Sequence, residues 1–97
     1  MNPEIAARLA RFGIEWFASE KGYYFFTRDH FAAIAHQQAA GFSLGSTGVM
    51  TEAGLAHLLW RDGAPYFSAH GGNANPATPE EVAAVQSFSA DLKAALA

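Results

Sequence analysis

Apolar positions at the start of the chain repeat with the period of a helix. Ile5, Leu9, Phe12 and Trp16 share one face, while Glu4/Arg8 and Arg11/Glu15 form i,i+4 pairs on the other. Asn2 fits as N-cap, Pro3 as first helical residue and Lys21-Gly22 as stop, so the spacing predicts an N-terminal amphipathic helix. Ile14 and Phe17 widen its stripe. Gly13 inside it costs about 1 kcal/mol relative to Ala, which predicts a backbone passing close by. At the far end, Thr78-Pro79-Glu80-Glu81 combines an N-cap, proline at N1 and a capping-box Glu at N3. Val82, Val85, Phe88, Leu92 and Leu96 follow at helical spacing and predict a long C-terminal helix.

Between these ends the pattern changes. Tyr23-Tyr24-Phe25-Phe26 is aromatic on both alternating faces, which suits a short strand or the start of the next helix. Thr27 as N-cap and Asp29 in the first turn predict a middle helix, with Phe31, Ile34, Ala35 and Gln38 along one side up to Gly41 and His36 on the other. Gly41 to Gly48 reads as a turn-forming loop, with room for a short strand at Phe42 to Leu44, and Val49 to Thr51 as another short strand.

The strongest local signal is Asp62-Gly63 between two apolar runs, which predicts a β-hairpin with a type I′ turn. In that register Arg61 faces Ala64, Trp60 faces Pro65, Leu59 faces Tyr66, Leu58 faces Phe67, His57 faces Ser68 and Leu55 faces His70. Pro65 then falls at a non-hydrogen-bonded pair, where its missing N–H costs the ladder nothing. Residues 52–61 also fit a helix capped by Thr51 and ended by Gly63. Of the two hairpin faces, Ala56, Leu58, Trp60, Phe67 and Ala69 make a core face. The other mixes Leu55, His57, Leu59, Tyr66, Ser68 and His70.

Residues 71–77 are an irregular connector too short to separate domains, so residues 1–97 are expected to form a single α+β domain. Its expected fold is a small antiparallel sheet of about three to five strands around the Asp62-Gly63 hairpin, with N-terminal, middle and C-terminal helices on one face.

Composition sharpens this in one respect. Hydrophobic residues are 51 % of the 97, but 21 are Ala, so bulky core must come largely from eight Phe, two Trp and three Tyr together with the aliphatic set. That aromatic area exceeds what a small core absorbs, and the remainder predicts a pocket or a self-association face. A net charge of −3 with six Lys+Arg and no basic cluster argues against nucleic acid or an anionic membrane as partner. No stretch reaches the about 18 consecutive apolar residues of a spanning helix, and the start lacks a signal-peptide pattern. With no cysteine, the expected compartment is the cytoplasm, and heavy alanine use suggests a bacterial source.

Candidate chemistry is thin. Gly41-Phe42-Ser43-Leu44-Gly45 matches the Gly-x-Ser-x-Gly elbow, with Asp62 and His70 in the triad order, but no strand-to-helix turn surrounds Ser43 and the chain is far too short for that fold. Gly45-Ser46-Thr47-Gly48 has the glycines and hydroxyls of an anion-binding nest, yet lacks the lysine of a phosphate-binding loop. His57 and His70 lie diagonally on one hairpin face, within about 7–8 Å, without a third metal ligand set by spacing. No catalytic residue, metal or cofactor is therefore assigned. The expectation is a small binding or interaction module that forms a homodimer through an aromatic-rich sheet face. The alternative is a small-ligand site or enzyme for an anionic or polar ligand, built from Ser43, Gly45, Ser46, Thr47, Gly48, His57, Tyr66 and His70.

Overall fold

The computed structural model describes residues 1–52, 54–69 and 74–97, with the backbone alone at Ser46. Asn2 caps helix α1 (Pro3–Arg11), its Oδ1 accepting from the N–H groups of Glu4 at 2.7 Å and Ile5 at 3.4 Å. The helix ends well before the apolar stripe does, because Gly13 adopts φ +70°. The Ile14 N–H donates to the Leu9 carbonyl at 2.9 Å and the Gly13 N–H to that of Ala10 at 3.1 Å. These are the paired bonds of a Schellman motif, and Leu9 and Ile14 make its apolar contact in the core. Gly13 is needed for its left-handed backbone. A Cβ there would meet only the side chain of Arg28, at 3.9 Å, so no backbone passes close.

Trp16 and Phe17 consequently leave the helix and enter strand β1 (Glu15–Ala18). It pairs with β2 (Tyr23–Arg28), which turns at Asp29-His30 into β3 (Phe31–Gln38). Asp29 holds φ +55°, a conformation its short polar side chain tolerates. The expected middle helix is therefore absent. Ala33 and Ala35 are buried beneath the helices and Ala32 between Thr27 and Gly48 on the other face, and packing overrides the small helix preference of alanine.

The chain continues through β4 (Gly41–Thr51), β5 (Gly54–Arg61), β6 (Ala64–Ala69) and β7 (Ala74–Pro76) to α2 (Pro79–Leu96), which opens with the expected capping box. All neighbouring strands are antiparallel and follow chain order in one sheet, so the expectation of three to five strands and three helices is corrected to seven strands and two helices among the described residues. The central hairpin has the expected register, Arg61 opposite Ala64 through His57 opposite Ser68, with Asp62 at φ +52° and Gly63 at φ +79°. The Leu55–His70 pair lies outside the described residues.

The stretch expected to be a glycine loop is strand β4, which carries a bulge. Ala33 pairs with Thr47 but Ala35 with Leu44, so Gly45 and Ser46 stand against Ile34 alone. The extra residue reverses parity, and Phe42 and Leu44 before it and Val49 after it all pack toward the core. A Cβ at Gly45 would come within 2.9 Å of the Ile34 carbonyl oxygen, and one at Gly48 would overlap that of Ala56. The glycines thus let a bent strand approach its neighbours.

Both helices pack on the same side of the sheet. Leu9 of α1 and Phe88 and Leu92 of α2 meet Tyr24, Phe26 and Ala33, while Val85 covers Ala56 and Phe67. Arg28 ties the layers together: its Nη1 donates to Asp91 Oδ2 at 2.8 Å and to the Phe12 carbonyl at 3.0 Å, and its guanidinium lies 5.5 Å from the Phe88 ring centre. Arg8 reaches the last turn of α2, donating to the Ala95 and Ala97 carbonyls at 2.9 and 2.7 Å, where cations favour a helix end.

Candidate functional site

Directly paired residues of an antiparallel sheet share a face, so the register shows what the helices leave uncovered. Glu15, Thr27, Ala32, Gly48, His57 and Ser68 stand opposite one another in turn, crossing the sheet as a row of mostly small and polar side chains. Apolar residues flank that row. Phe17 stacks on Phe25 at 4.9 Å on the β1 side, and Leu59 stands opposite Tyr66, itself opposite Pro76, on the β7 side. Met50 pairs with Leu55 beyond the row. Phe17, Tyr23, Met50 and Leu59 are 56, 44, 46 and 42 % exposed, although each sits within a strand. Large apolar side chains therefore stand in solvent on the uncovered face, as Trp16 and Trp60 also do toward the margins of the helix side.

The residues expected to bind a ligand are distributed unevenly. Gly48, His57 and Tyr66 lie on the open face, with Gly48 directly opposite His57. Ser43 is on the same face but pairs with His36, beyond the row of Phe25 and Ile34, and the His36 ring stands 4.9 Å from that of Tyr23. Thr47 pairs with buried Ala33 and so faces the helices, while Gly45 sits in the bulge. The side chain of Ser46 and all of His70 lie outside the described residues. The hydroxyls of Ser43 and Thr47 therefore stand on opposite sides of the sheet.

His57 Nδ1 is buried and has no hydrogen-bond partner among the described residues. Tyr66 lines a shallow apolar cleft of about 410 Å³ with Pro65, Pro76 and Arg61, and the Arg61 guanidinium lies 5.5 Å from its ring centre. A smaller polar cleft of about 240 Å³ lies beside Gly13, Glu15, Thr27 and Asp29. Among the described residues, His, Asp and Glu side chains nowhere gather in a group of three that could hold a metal ion. Among them, too, no helix is long and apolar enough to cross a membrane.

Sequence reasoning missed Phe17, Tyr23 and Met50 as members of this face. The available signal was Gly13-Ile14, a helix-ending glycine followed by an apolar residue, which would have released Trp16 and Phe17 to alternate in a strand. Compared with protein-family models, curated proteins and solved structures, the chain gives no match.

Proposed function

We propose that the chain is a small protein-interaction module that associates with a second copy of itself through the open face of its sheet. One observation carries the reading: the sheet has helices on one side, and its other side presents Phe17, Tyr23, Met50 and Leu59 to solvent. Two such sheets packed face to face bury their apolar side chains as the layers of a sandwich do. The setting we infer is a bacterial cytoplasm, on the cysteine-free and alanine-rich composition.

Sedimentation equilibrium over a wide concentration range tests this. Association to a multiple of the 10.3 kDa chain mass is expected, and a single 10.3 kDa species at every concentration overturns the reading. The small-ligand alternative draws less support, because Ser43 and Thr47 stand on opposite sides of the sheet.

A further inference from the structure

The two edges of the sheet are built differently. Among the described residues β7 spans Ala74–Pro76 and carries Pro76, a residue that blunts an edge against pairing. β1 is nearly as short, but Glu15-Trp16-Phe17-Ala18 holds no proline and no bulge, and all four residues are exposed. The Ser19 N–H donates to the Tyr23 carbonyl at 2.8 Å, so Ser19, Phe17 and Glu15 occupy the hydrogen-bonded positions of the β1–β2 ladder. By alternation the N–H and C=O groups of Trp16 and Ala18 point outward from the sheet edge.

We propose that β1 pairs antiparallel with β1 of a second copy, about a two-fold axis through Phe17, to give one continuous sheet. The sequence selects this register. Outward-pointing groups must meet outward-pointing groups, so the choices are Trp16 opposite Trp16, Ala18 opposite Ala18, or Trp16 opposite Ala18. The first puts Phe17 opposite the charged Glu15. The second puts Trp16 opposite the charged Glu20. The third pairs large with small, and each Trp16–Ala18 pair exchanges both N–H···O=C bonds. It also places Glu15 opposite the uncharged Ser19 of the other copy. No like charges meet. Phe17 then faces its symmetry mate at a non-hydrogen-bonded pair, where side chains are closest, and the Phe17–Phe25 stack runs on across the axis.

This edge contact is separate from the open-face contact. Together they generate an assembly of four copies with two kinds of two-fold axis, the arrangement of a dihedral tetramer. Either contact alone gives a dimer.

Two variants test the edge. Phe17→Cys introduces a thiol into a chain with no cysteine, and the two-fold puts the paired Cα atoms about 4.5 Å apart, within disulfide range. Mild oxidation is expected to give a covalent dimer. Ala18→Pro removes an outward N–H while leaving the β1–β2 ladder intact, so it is expected to halve the native mass and, combined with Phe17→Cys, to abolish the crosslink. Circular dichroism and a cooperative thermal transition show that the proline variant is folded. A folded Ala18→Pro chain of unchanged mass, or a Phe17→Cys chain that crosslinks equally well with the proline present, overturns the edge pairing. Crosslinking that persists when Met50→Glu/Leu59→Glu leaves the mass unchanged removes the open-face reading and keeps this one.

Discussion

Both faces of the sheet carry large apolar side chains, in different surroundings. On the helix side Phe26, Phe88, Leu9 and Leu92 are fully buried and locked by Arg28 and Arg8, which bind the ends of both helices. On the open side Phe17 and Phe25 stack just as closely, yet Phe17 is more than half exposed. Alternation puts aromatics on both faces, and two helices can cover only one. What separates the buried face from the exposed one here is the number of layers.

This contrast predicts a graded set of responses. The largest follows Phe88→Ala, which empties a fully buried site between Phe31 and Arg28 and is expected to cost about 3–5 kcal/mol by urea unfolding. Phe17→Ala at high dilution is expected to fall within about 0.5 kcal/mol of the parent, because its side chain leaves no cavity in the single chain. Equal costs at the two sites would erase the distinction between the faces. Next comes Gly48→Ala, whose Cβ collides with the Ala56 carbonyl on a rigid neighbouring strand; about 2–3 kcal/mol of destabilisation is expected. Ser43→Ala, exposed on the same strand, serves as its neutral control.

Arg28→Ala removes a part-exposed ion pair with Asp91, a hydrogen bond to Phe12 and cover over Phe88. Its expected cost is about 1–2 kcal/mol, mostly from the hydrogen bond and lost packing, since solvent screens the charge pair. Gly13→Ala forces a left-handed backbone on a side chain at the α1 stop and is expected to cost about 1 kcal/mol, read as a small drop in thermal midpoint.

Local chemistry was legible in the sequence wherever it was self-contained. The Asn2 cap, the Thr78–Glu81 capping box and the Asp62-Gly63 hairpin each depend on a few adjacent residues, and the hairpin register predicted the faces of Ala56, Leu58, Phe67 and Ala69 correctly. Trp60 shares their face but is 55 % exposed, because it lies beyond the reach of α2. The middle of the chain was not legible, for a physical reason. Phe31-Ala-Ala-Ile-Ala fits a helix as readily as a strand, and only pairing between β2 and β4 decides it. Gly45 and Gly48 likewise serve contacts with Ile34 and Ala56 that no local pattern reveals. Of the candidate site, the mixed face bearing His57, Leu59 and Tyr66 was visible early. Its extension to Phe17, Tyr23 and Met50 required the full sheet.

The most direct test of the account compares charge placed on either side of the sheet. Met50→Glu/Leu59→Glu puts carboxylates on the open face, while Trp60→Glu puts one at an equally exposed aromatic site on the helix side. Sedimentation velocity of the three folded proteins at matched concentration is expected to show the double variant at half the parent mass and Trp60→Glu unchanged. An unaltered mass for the double variant, or dissociation by Trp60→Glu instead, would contradict self-association through the open face.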